Sequence, residues 1–297
     1  VSAPAPPEEP TSLPGEGPAG LEVLQAGGGH GRGNALLLDR EGGALLKVYR
    51  SRRGASGAWR ELLRDLAHRR LEGKRGVGPE VRRETEREVL RLWRSEGFDV
   101  PAVLDLATPP GIEEPSLWLE YCDGRTLDRA IADCALEGRG APADRADLLV
   151  ARLAGEHGRR HRRALDRTEP LLVQEHPTIV HTLHCGDRLV TIDFENAWAS
   201  GAPVPLVVAR ELAGTLRSFF RRLGRGSGAG EGGRAFDVFV EAYPEPALLR
   251  EAALLITRGG GLVGALRRRR DRRRRNRPSK VEVMGWVLEG RGPARED

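Results

Sequence analysis

Three ionisable side chains, Lys47, Glu86 and Asp193, sit far apart in the chain on segments with apolar patterning. Leu45-Leu46-Lys47-Val48-Tyr49 places an ammonium inside an apolar run, and Leu189 to Ile192 leads into Asp193-Phe194-Glu195. A carboxylate at the end of a buried strand is costly unless a metal ion or a lysine meets it there. The other reading of Asp193 is an ordinary exposed acid at a strand end. Lysine is scarce: of 48 lysines and arginines, only Lys47, Lys74 and Lys280 are lysine. A lysine kept inside an apolar strand of such a chain points to a need for a compact ammonium rather than a planar fork. Gly27-Gly28-Gly29-His30-Gly31-Arg32-Gly33-Asn34 adds a loop whose backbone N–H groups can approach a phosphate without side-chain interference. No Gly-Lys-Ser/Thr follows it, which excludes a P-loop.

Positioning these groups calls for strands first and helices after. Leu21 to Leu24, Ala35 to Leu38 and Ala44 to Tyr49 read as strands, with the glycine loop and Glu41-Gly42-Gly43 as connections. Trp59 to Leu71 has helical periodicity, and Glu80 to Glu96 is a second helix stopped by Gly97. On that second helix Val89, Leu90 and Trp93 form the apolar stripe and Glu86 lies along it, whereas Glu84 and Glu88 fall toward solvent. Glu86 also reads as half of a surface i,i+4 pair with an arginine. Val100 to Leu104 and Ser116 to Tyr121 are extended, and Cys122 to Leu127 turns into a helix and forms a hinge. Ala143 to Leu165 is helical, Gly186-Asp187 joins two strands, and Val207 to Leu223, Ala235 to Tyr243 and Pro246 to Arg258 are helices. A glycine-rich linker spans Gly224 to Gly233.

The fold class expected is α+β with two lobes: a β-rich first lobe over 21–121 and a helical second lobe over 122–266. A Pro/Gly-rich disordered tail (1–20) and an arginine-rich tail (267–297) flank them. Apolar content of 39% and charged content of 31% suit a globular protein, and no apolar run is long enough to span a bilayer. The first residues have neither a basic start nor an apolar core, so they do not read as a signal peptide. Cys122, Cys134 and Cys185 show no metal spacing and no even disulfide set, and a reducing cytoplasm is the expected compartment. His157 and His161 are one helical turn apart but lack a third ligand, and read as packing or capping residues. The Arg267–Arg277 run is either a solvated tail or a contact for an anionic surface, lipid phosphates ahead of nucleic acid.

The order glycine loop, strand lysine, helix glutamate, hinge and strand-end aspartate resembles the protein-kinase-like fold from about Leu21 to Arg258. The resemblance is closest to the lipopolysaccharide kinases that act on core heptose or Kdo. It is carried by Leu45 to Tyr49, Glu86…Leu90…Trp93…Gly97…Val100-Pro101, Leu119-Glu120-Tyr121…Gly124…Leu127 and Ile192-Asp193-Phe194-Glu195. It implies an ATP- and magnesium-dependent kinase, possessing a cytoplasmic site peripheral to the inner membrane face, that phosphorylates a hydroxyl of a sugar or lipid-linked glycan. Lys47 would hold ATP phosphates under the orientation of Glu86, Gly29, Gly31 and Gly33 would cover them, and Asp193 would ligate magnesium. Glu120 and Tyr121 would flank the adenine. In the family's catalytic loop, His-x-Asp-x-x-x-x-Asn, counting back from Asp193 puts His181 in the asparagine place, as a metal ligand, and His176 in the place of the catalytic aspartate. His176 is therefore the expected base, with Glu175 beside it as the substitute, and an inactive pseudokinase or a small atypical kinase as the alternative.

Overall fold

The computed structural model describes residues 20–25, 34–50, 73–76, 78–136, 141–224, 230–258 and 278–290. Gly29, Gly31 and Gly33, the Trp59–Leu71 segment, the Arg267–Arg277 run and residues 1–19 lie outside the described residues. The architecture is α+β with two lobes, a sheet followed by helices.

Strand alternation decides what each face of the sheet carries. β1 (Glu22–Gln25), β2 (Ala35–Asp39), β3 (Ala44–Val48), β4 (Val103–Leu104) and β5 (Ser116–Glu120) pair antiparallel in the order β1-β2-β3-β5-β4. The register sets Lys47 between Leu36 and Leu117, and Leu45 opposite Leu119. Ala35, Leu37, Ala44, Leu46, Val48 and Trp118 form a small core on the other face, while Tyr49, Leu117 and Leu119 join the main core. Lys47 is thus on the face that looks into the protein.

Between β3 and β4 lies α1 (Pro79–Ser95), which starts at a proline behind the extended Gly78 and gives way to Gly97 at φ +77. Its buried residues are Thr85, Glu86, Val89, Leu90 and Trp93, one stripe at 3.6-residue spacing. Tyr121 to Gly124 connects the lobes. After it, β6 (Arg125–Thr126), β7 (Thr182–Cys185) and β8 (Arg188–Thr191) make a small antiparallel sheet under the cleft, with Gly186 at φ +62 in the β7–β8 turn.

α2 (Leu127–Leu136), α3 (Ala141–Arg167), α4 (Val204–Arg222), α5 (Glu231–Ala242) and α6 (Pro246–Arg258) build the second lobe. α4 is buried on nearly all sides and is its axis. Two expectations change here. The glycine linker ends sooner, because Gly232 and Gly233 are buried inside α5; a side chain at Gly232 would come 2.7 Å from the Gly224 carbonyl oxygen. The region past 266 is not all tail, because α7 (Lys280–Glu289) buries Val283 and Met284 and sets Trp286 against Phe220 and Phe236. Ser279 and Glu282 form a capping box at its start, and Gly290 ends it in the left-handed region.

Among the described residues no helix is long and apolar enough to cross a membrane. Cys122, Cys134 and Cys185 are free thiols.

The loop that carries Glu175 and His176 is seated on α4 at a glycine. A Cβ at Gly214 would stand 2.5 Å from Pro177 Cγ. We expect Gly214→Ala to destabilise by about 1–3 kcal/mol through overpacking. Gly155→Ala on α3, where a Cβ meets nothing within 4 Å, should stabilise by about 0.5–1 kcal/mol through helix propensity. Urea unfolding of both variants measures the contrast.

Candidate active site

Lys47 Nζ lies 2.7 Å from Glu86 Oε2 and 3.1 Å from Asp193 Oδ1, so three segments meet at one ammonium. Glu86 is the inward acid of its helix: it is buried, while Glu84 pairs at the surface with Arg83 and Arg87, and Glu88 with Arg75. The Tyr49 hydroxyl donates to Glu86 Oε2 at 2.7 Å and the Phe194 N–H to Oε1 at 3.4 Å. Burial alone lowers the Lys47 pKa, but Glu86, Asp193 and Glu195 together outweigh it and hold the ammonium firmly charged. Burial pushes the Glu86 carboxyl up, against Lys47 and Tyr49, which pull it down. For Asp193 burial also pushes up, yet Lys47 and then His181 prevail and set it at about 2.

Asp193 is placed by the hairpin that ends just before it. Ile192 N–H donates to the His181 carbonyl at 2.8 Å, which brings His181 Nε2 to 3.4 Å from Asp193 Oδ2. Asp193 itself has φ +67, in the left-handed region that costs a non-glycine residue about 1–2 kcal/mol. Such strain at a residue that meets the Lys47 ammonium and the His181 ring marks a position held for its side chain's direction. Burial lowers the His181 pKa despite Asp193. The His176 ring lies 5.5 Å from the His181 ring, and the His176 carbonyl oxygen is 3.1 Å from His181 Nδ1. His176 is exposed.

These groups close one end of a cleft of about 400 Å³ between the lobes. Its walls include Leu36, Leu45, Leu119, Tyr121, Leu183 and Ile192, an apolar slot for a flat ring. Glu120 lines it as well, but its carboxylate turns back to Ala102 N–H at 3.0 Å and Arg94 at 3.3 Å. Any contact from Glu120 to a ligand therefore falls to its backbone. Glu175 does not face the cleft: its carboxylate meets Lys74 Nζ at 2.5 Å.

Several participants are not foreseen by the sequence reading. Asn34 and Arg82 both bond Glu195, and Arg82 bonds Asn34 Oδ1 at 2.9 Å, so the residue that follows the glycine loop is tied to the strand-end segment. Nothing in the local pattern singles out Arg82. Behind the loop, Glu211 of α4 is fully buried and takes a two-pronged bond from Arg160 at 2.6 and 3.0 Å. It also accepts the Gln174 backbone N–H at 3.1 Å and His161 Nε2 at 3.0 Å. An ionised carboxylate only accepts, so His161 carries its proton on Nε2 and takes the Tyr243 hydroxyl on Nδ1, at 2.9 Å. Burial would raise Glu211, but Arg160 and His161 hold it well below the usual carboxylate range. A lone acid in the apolar run Val207 to Leu216 was the available signal. His157 bonds the Leu153 carbonyl and packs on Phe239, so the histidine pair on α3 is interior structure.

No family model matches the chain, and no curated protein matches it. Among solved structures it is similar to the aminoglycoside phosphotransferase APH(3'')-Id of Streptomyces rimosus, at 14% identity and TM-score 0.40, covering 92% of this chain and 94% of that one. It is also similar to the Rio2 kinase of Chaetomium thermophilum, at 14% identity and TM-score 0.34, over 84% of this chain and 73% of that one. A second structure of that kinase, an ADP/Mg2+-phosphoaspartate complex, aligns over 87% of this chain with TM-score 0.33. The chain's own architecture is α+β, a β-rich lobe followed by a helical one. What carries the reading of the site is the chain's own geometry: a strand lysine and helix glutamate in one lobe, meeting a strand-end aspartate from the other.

The Glu211 knot makes a stability prediction. Arg160→Met leaves a buried carboxylate short of its main partner and should cost about 3–5 kcal/mol. Urea unfolding with circular dichroism checks it, and a cost below 1 kcal/mol would mean that His161 and the Gln174 amide suffice.

Proposed function

We propose that the chain is an ATP- and magnesium-dependent phosphotransferase that phosphorylates a hydroxyl on a sugar of a lipid-linked or envelope glycan. The carrying observation is the convergence of Glu86 and Asp193 on the Lys47 ammonium, at 2.7 and 3.1 Å, at the polar end of an apolar-walled cleft. The glycan acceptor rests on the sequence resemblance to lipopolysaccharide kinases.

The residues present fit the cofactors. Asp193 is held at about 2 and so is ionised throughout the physiological range. Among the described residues no group of three or more His, Cys, Asp and Glu forms a ready metal cage. Magnesium suits that situation, because it is commonly held by one or two carboxylates and by substrate phosphates. When bound, magnesium and ATP supply the phosphoryl group and the charge neutralisation that in-line transfer needs.

Lys47, its ammonium fixed by Glu86, would hold phosphate oxygens, while Asp193, with His181 beside it, would present oxygen and nitrogen lone pairs to the metal. The backbone of Glu120 and Tyr121 borders the ring slot. The resemblance would give Gly29, Gly31 and Gly33, which lie outside the described residues, the part of covering the phosphates. His176, exposed and one ring away from His181, is the group that takes the acceptor's proton. Peripheral attachment to the inner membrane face through Arg267–Arg277 accompanies this reading. A second reading, a nucleotide-binding pseudokinase, is favoured by one observation: Glu175 is occupied by Lys74, which leaves a histidine in the aspartate's place.

The test is phosphoryl transfer from ATP with magnesium to a panel of glycan hydroxyls. We expect turnover by the parent and a loss of at least about 100-fold in Lys47→Met and Asp193→Asn, in keeping with the loss of preorganised charge stabilisation. Full activity in either folded variant would reject the site. A parent that binds nucleotide but transfers to nothing would select the second reading.

A further inference from the structure

The segment that enters α1 carries a second contact between the lobes, separate from the Lys47 cluster. Residues 73–76 lie alongside the stretch that follows Asp193: Arg75 N–H donates to the Ala197 carbonyl and Ala199 N–H to the Gly73 carbonyl, both at 2.9 Å. Lys74 and Trp198 face each other across this antiparallel bridge. The Lys74 ammonium sits over the Trp198 ring at 5.7 Å and reaches Glu175 at 2.5 Å, with both side chains largely buried. At the next residue, Arg75 forks onto Glu88 of α1 at 2.5 and 3.1 Å. One short strand thus touches the helix that presents Glu86, the segment that leaves Asp193 and the residue next to His176.

Glu175 is the acid at the centre of a basic neighbourhood. Lys280 from α7 bonds the Arg210 carbonyl at 3.2 Å, and a Cβ on Gly214 would stand 3.3 Å from its nitrogen, next to Pro177. Arg210 lies over the opposite partner of Lys74, the Trp198 ring, at 5.4 Å. Burial first, and then Arg217, brings Lys280 down to about 8, with Arg210 and Lys74 acting the same way and Glu175 against them. Removing the Glu175 charge therefore leaves several cations facing one another, whereas removing Lys74 leaves Glu175 with cations still near.

We propose that Lys74, Glu175 and Trp198 form an inter-lobe latch that holds α1, the segment after Asp193 and the Glu175–His176 loop in one register. Lys74 and Glu175 are then positioning residues, and Glu175 is not a base. A displacement of about 1 Å in such a site can cost about 100-fold in rate, so a contact that lies away from the nucleotide cleft can govern turnover.

This inference rests on the phosphotransferase reading, and its test separates the two. Lys74→Met, Glu175→Gln, their double variant and Lys74→Arg are compared with the parent by steady-state kinetics and by hydrogen exchange of the Arg75 and Ala199 amides. We expect kcat to fall about 10- to 100-fold in each single neutral variant, with the KM for ATP changed less than about twofold. The double variant should be no worse than the poorer single one, because the two act as a unit. Lys74→Arg should keep its rate within about threefold, because a guanidinium also bonds a carboxylate and stacks on an indole. Glu175→Gln should lose more thermal stability than Lys74→Met. In both, the two amides should exchange faster. Unchanged kcat with unchanged exchange overturns the latch. A raised KM for the acceptor at constant kcat overturns it too, since it would make these residues acceptor contacts. If the parent transfers to nothing, the phosphotransferase reading fails, and the exchange rates alone decide the latch.

Discussion

A buried ammonium is tolerable only where carboxylates meet it, and Lys47 has two at hydrogen-bond distance. This constraint links sequence to architecture. The apolar strand around Lys47 is what buries it; α1 must turn one particular acid inward to compensate; and the β7–β8 hairpin must end with Asp193 pointing back across the cleft. Neither β3 nor α1 is free to move without leaving a buried charge unpaired. The ion pair need not add net stability, because desolvation takes back much of what Coulomb attraction supplies. Its value lies in registry: the fold in which the two lobes are aligned is the fold in which Lys47, Glu86 and Asp193 meet.

The Glu211 knot does for the second lobe what Glu86 does for the first. Its carboxylate collects Arg160 and His161 from α3 and the backbone of Gln174, so the start of the Glu175–His176 loop is hung from α3 and α4. Arg160 also donates to the Leu172 carbonyl at 2.8 Å and lies over the Trp93 ring at 4.2 Å, while Trp93 Nε1 donates to the Leu171 carbonyl at 2.8 Å. One arginine and one tryptophan thereby carry the position of α1 through to the loop. Trp93 also packs edge-on against Phe194, at 4.6 Å between ring centres. These contacts run unbroken from α1 to Gln174 at the start of the loop.

Much of this was legible where a residue type contradicted its surroundings. Lys47 in an apolar strand, Asp193 at a strand end and Glu86 on an apolar stripe were each costly unless paired, and the pairing is what the structure contains. The helices of the second lobe were legible from periodicity, with ends displaced by a few residues. The sequence also held cues that went unused: the Ser279–Glu282 capping box with Gly290 defined α7, and Glu211 stood alone in an apolar helix just as Asp193 stood in a strand. Contacts made by long-range pairing of ordinary surface-type residues were not legible. Arg82 with Asn34 and Glu195, and Lys74 with Glu175, join residues far apart in the chain, and no local pattern encodes their meeting. The scarcity of lysine was the one hint, since Lys47, Lys74 and Lys280 all lie around Asp193 or the loop that precedes it.

The central claim is that Asp193, aimed by its backbone and charged by its neighbours, joins the Lys47 cluster to a metal-bound nucleotide. Calorimetric titration of ATP into the parent protein, with magnesium and then with a chelator, addresses it directly. The account predicts binding that magnesium strengthens at least about tenfold, and an Asp193→Asn variant in which that strengthening is lost, since an amide is a poorer ligand for a hard cation. Nucleotide binding of equal strength with and without the metal, or none in either condition, would contradict it.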